Sequence, residues 1–333
     1  MRGILDAFPR MGIAHLPTPL HPLNNLSQHL GGPRIWVKRD DLTGLGTGGN
    51  KLRKIDYALR DVLDAGADCV VSGGVVQSNS ARQVAAACAA AGIPCHLAVF
   101  EGRVEAGSER YYTSGNALLS DLFGATKHPM PWSSDPNQAL KTIASRLRAD
   151  GFDPAILPYG VSSPMGAIGY ATLIAEIGEQ MDRAPAAIIF ASGSGGTHAG
   201  IAMGCQIGLQ QTQAIGFDID AQPDRVRQDT AAIMLAAGKR LGWIFDLDAI
   251  DLRSGMAGPS YGVPHEKCLE AMRLAGRLEG LVLDPTYSAK SLAGLISLVM
   301  DGTFDKADDI VFVHTGGDAA IFAYEPSQLG LMG

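Results

Sequence analysis

The chain has 333 residues and a mass of 34.9 kDa, with 46% hydrophobic and 18% charged residues. That length suits one large or two modest domains with a sizeable core, and the balance excludes a disordered chain. The 41 glycines follow no Gly-X-Y period, which excludes a collagen-like fold, and a net charge of −7 without any Lys/Arg block argues against a nucleic-acid partner.

Short apolar runs alternate with helical patterns along the chain. Residues 35–37 read as a strand. Leu52, Ile55, Leu59 and Val62 recur at helical spacing and predict an amphipathic helix over 50–65. A strand at 69–71 runs out at Gly73 and Gly74. The alanine-rich stretch 81–91 predicts a helix that Gly92 stops, and 97–100 is the next strand. Charge and glycine rise over 101–115, which reads as a surface loop inside a domain. Strands follow at 188–190, 215–217 and 310–313. Between 222 and 258, helical stretches give way to a flexible loop at 254–259. The strand runs do not alternate, as expected for strands covered by helices on both faces, and the β-α order predicts an α/β protein with mainly parallel sheets.

The five cysteines, Cys69, Cys88, Cys95, Cys205 and Cys268, form no CxxC pair and no Cys/His group. They read as reduced, buried thiols of a cytoplasmic protein with no metal site. The N-terminus lacks the apolar stretch of a signal peptide, and no run approaches the roughly 18 residues of a membrane span.

Five constellations carry possible chemistry. In Thr43 to Lys51 a glycine-rich loop runs into a helix whose first turn carries a lysine. A lysine there feels the positive end of the macrodipole, which favours the neutral amine that a Schiff base needs; the alternative is a solvent-facing lysine after a flexible turn. Ser192 to Thr197 follows a strand and opens a helix, the geometry of a phosphate cradle or of an ordinary tight turn. It lacks the Lys-Ser/Thr ending of a nucleotide-binding loop, and no dinucleotide fingerprint opens a first βαβ unit, which disfavours a nicotinamide oxidoreductase. Gln77-Ser78-Asn79-Ser80 offers donors at a helix start, either for an anionic carboxylate or simply as a cap. His314-Thr315-Gly316-Gly317 lies at the carboxyl end of the last strong strand, where α/β sheets bind ligands. Asp284 to Lys290 presents Tyr287, a packing or a site residue, before a helix. A lysine for an aldehyde, a cradle for a phosphate and an anion site together match what pyridoxal phosphate and an amino-acid substrate require.

Six motifs in order give the chain its resemblance: Trp36-Val37-Lys38-Arg39-Asp40-Asp41, Gly48-Gly49-Asn50-Lys51, Gln77-Ser78-Asn79, Gly193-Ser194-Gly195-Gly196-Thr197, Asp284-Pro285-Thr286-Tyr287 and His314-Thr315-Gly316-Gly317. Over nearly its whole length the sequence resembles the fold type II pyridoxal-phosphate enzymes, in the branch of D-cysteine desulfhydrase and 1-aminocyclopropane-1-carboxylate deaminase. The resemblance implies two open, twisted, mainly parallel sheets flanked by helices, as in tryptophan synthase β. It also implies a large domain of residues 1–49 plus 161–333, a small domain of 50–160 with the cofactor between them, and a homodimer.

By the same resemblance Lys51 carries the cofactor as a Schiff base and Asn79 bonds its phenolic oxygen. Gly195, Gly196 and Thr197 hold the phosphate, with Lys54 adding charge, and Thr315 faces the pyridine nitrogen. Ser78 contacts the substrate carboxylate or moves a proton, Tyr287 sits beside substrate and ring, and Gln77, Ser80 and Tyr261 complete the substrate site. The deaminase pattern has glutamate after the tyrosine, where this chain has Ser288, and leucine where this chain has Thr315. A neutral threonine hydroxyl supports the electron sink less than a carboxylate would, which points to α,β-elimination rather than ring cleavage. The family's Gln-Ser-Asn-His is departed from at Ser80. The opening from Phe8 to Leu20 and the stretch Tyr287 to Lys290 also resemble cysteate sulfo-lyases, which eliminate sulfite. The implied reaction is a β-elimination giving pyruvate, ammonia and the leaving group, with Lys51, Ser78 or Tyr287 as base. A reading from another class is a non-catalytic binder of amino-acid or phosphate ligands.

Overall fold

The computed structural model describes residues 2–5, 7–103 and 108–331. Ten strands form two sheets: β1 (Leu20–Pro22), β2 (Arg34–Arg39), β3 (Cys69–Val75), β4 (Cys95–Glu101), β5 (Thr126–Pro131), β6 (Pro154–Ile156), β7 (Ala187–Ser192), β8 (Gln213–Asp218), β9 (Asp251–Arg253) and β10 (Asp309–His314). One sheet has the order β1-β2-β10-β7-β8-β9 and the other β5-β4-β3-β6. Among the described residues every neighbouring pair is parallel except β1 with β2. Strands β3, β7 and β10 are buried along their whole length, which is why their sequences do not alternate. The expected α/β class with two mainly parallel sheets is the observed one.

The helix predicted at 50–65 is Lys51–Asp64. It seats on the helix Pro164–Gln180, where a Cβ on Gly169 would lie 2.6 Å from Tyr57 Cδ2 and 2.7 Å from Arg53 O, so only glycine lets the two backbones come this close. An ionic lock fixes the contact. Arg53 Nε donates to Asp40 Oδ2 at 2.8 Å, and its two terminal nitrogens donate to Glu176 Oε1 and Oε2 at 2.7 Å each. Lys38 pairs with Glu176 at 2.6 Å, and Tyr170 donates to Asp40 at 2.9 Å, so every buried charge in the lock has an opposite partner.

The helix predicted at 81–91 begins earlier, at Asn79, because Ser78 Oγ caps it by accepting from Ala81 N at 3.1 Å. Two readings are corrected. Within the loop expected over 101–115, residues 104–107 lie outside the described residues, but Glu109–Thr113 is a helical turn and a second helix spans Gly115–Leu122. The 222–258 region holds one long helix, Pro223–Leu241, and also the short strand β9. All five cysteines are free and buried, and no described helix is long and apolar enough to cross a membrane.

Candidate active site

The carboxyl ends of β3, β7, β8 and β10 and the start of the Lys51 helix line one cleft between the sheets. Lys51, Ser78, Asn79, Ser80, Gly195, Thr197, Tyr261, Tyr287 and Thr315 all contribute to its wall. Residues scattered over most of the chain thus meet because parallel strands place their following loops on one edge.

Asn50, just before the lysine, ties three of the motifs together. Its N–H donates to Thr315 O at 2.9 Å and its side-chain amide donates to Thr197 Oγ1 at 2.9 Å. Lys51 therefore leaves the loop at a fixed distance from both the β10 turn and the β7 turn. Burial lowers the Lys51 pKa to about 8, partly opposed by a hydrogen bond with Lys54. Desolvation is the main cause of this lowering, which runs in the direction expected from the helix macrodipole. Lys54 is fully buried and pushed further down, by burial and then by repulsion from Lys51, and its ammonium nitrogen donates to Gly160 O at 2.5 Å.

The turn after β7 opens the helix Gly196–Gly208. Gly195 sits at φ +78, and a Cβ there would lie 2.9 Å from Thr230 N. The turn is therefore restricted to glycine, and the helix start carries no side-chain cap. The first intrahelical bond runs from Ala199 N to Gly195 O at 2.8 Å, which leaves the N–H groups of Thr197 and His198 without intrahelical partners. The His198 ring behind the turn is held neutral, its pKa pushed by burial to about 3, with Nδ1 3.1 Å from Ser192 Oγ.

At the third motif, Asn79 Oδ1 accepts from Asn116 Nδ2 at 2.8 Å, which leaves the Asn79 amide nitrogen for another acceptor. Ser78 Oγ, accepting from Ala81 N, keeps its own O–H to donate. Ser80 Oγ is buried on the cleft wall with no partner among the described residues. On the far side the Tyr261 and Tyr287 hydroxyls are hydrogen-bonded to each other, and their rings meet edge-on at 5.8 Å.

Three sequence assignments need correction. Lys54, expected to add charge at the phosphate, is not on the cleft wall and donates to Gly160 O instead. Gln77 does not line the cleft: its Nε2 donates to Tyr111 O at 2.6 Å and Ser114 O at 2.9 Å, and its Oε1 accepts from Asn116 N at 2.9 Å, so the whole amide serves to hold the helical turn. Gly196 is not on the cleft wall either, because its N–H donates to Ser194 O at 3.0 Å and Ser162 Oγ at 3.3 Å. Asn50, Arg103, Tyr159, Asp220 and Arg225 line the cleft without having been singled out. Asn50 lay inside a quoted motif; Arg103 and Asp220 sit in loops, Tyr159 in a helical turn and Arg225 in the first turn of the Pro223–Leu241 helix, with no motif to mark them.

The residues present fit pyridoxal phosphate. A largely desolvated amine, a glycine-restricted turn with free N–H groups, a neutral threonine and an orphan Ser80 hydroxyl share one cleft.

Comparison with known proteins agrees. The chain is 40% identical to a D-cysteine desulfhydrase of Yersinia pestis over 324 residues, 97% of this chain and 98% of that protein. It is 41% identical over 325 residues to one of Serratia proteamaculans, with the same coverage. Among solved structures, an ACC deaminase homologue superposes with a TM-score of 0.90 at 31% identity, covering 99% of this chain and 98% of that one. A pyridoxal 5'-phosphate-dependent aspartate racemase shares the fold, with a TM-score of 0.69 at 15% identity over 95% and 94% of the two chains. Residues 13–316 match the family of pyridoxal-phosphate dependent enzymes, and the chain belongs to that family.

Proposed function

We propose that this chain catalyses α,β-elimination on a small amino acid in the manner of D-cysteine desulfhydrase, releasing pyruvate, ammonia and the leaving group. The observation that carries the reading is Asn50, bonded at once to Thr315 and Thr197 beside Lys51. It makes amine, pyridine side and phosphate side parts of one cleft. Relatives named D-cysteine desulfhydrase, about two-fifths identical over the full length, support the reaction.

When bound, the cofactor supplies a sink for the electron pair left at Cα. Lys51 would hold its aldehyde, and the same amine, its pKa lowered by burial, is the base this site offers for the Cα proton. Thr197 and the Gly195 turn would bind the phosphate, while Lys54, its pKa pushed down by burial and its nitrogen bonded to Gly160 O, packs behind Lys51. The Asn79 amide nitrogen would donate to the phenolic oxygen, and Thr315 would face the pyridine nitrogen. The hydroxyls of Ser78 and Ser80, at the start of the Asn79 helix, hold the substrate carboxylate. Tyr287, with Tyr261 bonded to it, stands beside the substrate and is the second possible proton carrier.

Ring cleavage is less well supported. Ser288, where a deaminase has glutamate, is fully buried with its hydroxyl donated to Asp284 Oδ1 at 2.7 Å, so this position brings no carboxylate to the cleft. The proposal extends to a small domain of 50–160, a large domain of 1–49 plus 161–333, a homodimer and a cytoplasmic location. The test is to purify the protein with pyridoxal phosphate and offer D-cysteine, L-cysteate, 3-chloroalanine and 1-aminocyclopropane-1-carboxylate. Pyruvate from D-cysteine is the expected result. Pyruvate from L-cysteate alone would make the leaving group sulfite, and 2-oxobutyrate would mean ring opening. A protein that takes up no cofactor would end the reading, and one that binds it without turnover would be a binder.

A further inference from the structure

The mechanism above leaves one charged part of the cleft wall without a task. Arg103 follows β4, and Asp220 follows β8 in the other sheet. The two form a close ion pair, with side chains only 10% and 8% exposed. Arg225, from the Pro223–Leu241 helix, also donates to Asp220, Nη2 to Oδ2 at 2.7 Å, and to the exposed Asp229 at 3.0 Å. The Arg103 guanidinium carbon lies 3.7 Å from the centroid of Tyr261 and 4.3 Å from that of Trp132. The planar cation is thus held on two aromatic rings, which fixes its orientation and strips much of its water.

Two guanidiniums, Arg103 and Arg225, share Asp220, and Arg225 is also paired with Asp229, so the cluster is balanced in charge, with both of its cations on the cleft wall and Asp229 off it. The other cleft groups have work already: Lys51 for the cofactor, the turn at Gly195 for phosphate, and Ser78 and Ser80 for the substrate carboxylate. Tyr261 and Tyr287 satisfy each other's hydroxyls. The substrate's β-substituent is a polar element with no partner assigned above, and Arg103 is a buried cation on the cleft wall with no role assigned above.

We propose that Arg103 receives the leaving group, stabilising the negative charge that builds on the β-substituent, and thereby selects amino acids whose substituent departs as a sulfur anion. The inference rests on the elimination reading. The Cα proton passes to the base, its electron pair becomes the Cα–Cβ double bond, and the Cβ–S pair leaves with sulfur. Water then hydrolyses the released enamine to pyruvate and ammonia, so no oxidant or reductant is needed. Charge developing at a desolvated, fixed cation is where electrostatic stabilisation acts most strongly.

The test compares two substrates of one enzyme. Chloride leaves 3-chloro-D-alanine without help, whereas hydrosulfide from D-cysteine needs it. Arg103→Met should lower kcat/KM about 100-fold for D-cysteine and by less than about 3-fold for 3-chloro-D-alanine, with the cofactor's visible absorption unchanged. Arg103→Lys, which keeps the charge but not the fork, should fall between, and serves if the methionine variant does not fold. Sulfite, as a product-like anion, should inhibit 3-chloro-D-alanine turnover in the wild type and need about tenfold more in Arg103→Met. A parallel loss with both substrates, or no loss with D-cysteine, would overturn this proposal alone. A wild-type enzyme that releases pyruvate from neither substrate would remove the elimination reading and this proposal with it.

Discussion

The starts of two helices in the cleft, Lys51–Asp64 and Gly196–Gly208, form an instructive pair. Both follow glycine-rich loops, both enter the cleft, and neither has a side-chain cap. Their backbone dipoles therefore present the same partial positive charge. One start carries a lysine amine, and the other carries no side chain before Thr197. The dipole cannot be what separates an imine-forming site from an anion site. Burial separates them: it brings the Lys51 amine down to about 8, while the glycine turn leaves N–H groups bare for a phosphate.

The sharpest break of this comparison is Lys51→Ala. It removes the covalent anchor and leaves the anion site, so the cofactor's visible lysine-bound absorption should disappear and turnover should fall by about 10³-fold or more, while phosphate-dependent binding of the cofactor persists in equilibrium dialysis. Next is Arg53→Met, which strips the lock beneath the same helix. It leaves Asp40 and Glu176 buried without their guanidinium, and should cost about 3–5 kcal/mol in denaturant unfolding. An unchanged unfolding midpoint would show that the helix is seated by packing alone.

Gly195→Ala attacks the other start. At φ +78 with Thr230 N at 2.9 Å, a methyl group must push the turn open. Cofactor affinity should fall about tenfold or more, read by fluorescence titration of the apoprotein, with the Lys51 absorption recovered at saturation. The mildest test is pH. Because burial lowers the Lys51 pKa, the amine is protonated below about 8 and neutral above it. The rate of covalent cofactor uptake by the apoprotein should therefore rise about tenfold between pH 7 and pH 9 and then level off. A rate still climbing at pH 10 would mean an amine that is not desolvated.

Much of the fold was legible because its main strands have apolar centres and glycines stand at several of their ends. Four strands escaped notice, β1, β5, β6 and β9, because they are short or carry prolines and charges. β5 contains two prolines, a lysine and a histidine and lies at a sheet edge, and β9 is three residues long and charged at both ends. In the site, Lys51, Asn79, Thr197 and Thr315 were visible as motifs because backbone geometry forces glycine or a cap beside each. Arg103 and Asp220 were not. They lie in loops after strands of different sheets, and nothing local to either marks the meeting; only the strand order brings them together. Gln77 misled for the opposite reason, since its motif is genuine but its amide serves the backbone of the turn at Tyr111 and Ser114.

Strand β2 pairs along its whole length with β10, Arg34 beside Asp309 and Arg39 beside His314. Synthesis must therefore pass residue 314 before the larger sheet acquires its centre, whereas every strand of the smaller sheet has been made by residue 156. During synthesis the apolar strand β7 has no neighbour toward the amino-terminal side until β10 emerges. Nascent chains stalled between these points would expose a sticky sheet edge, and this is the interval in which a chaperone would matter most.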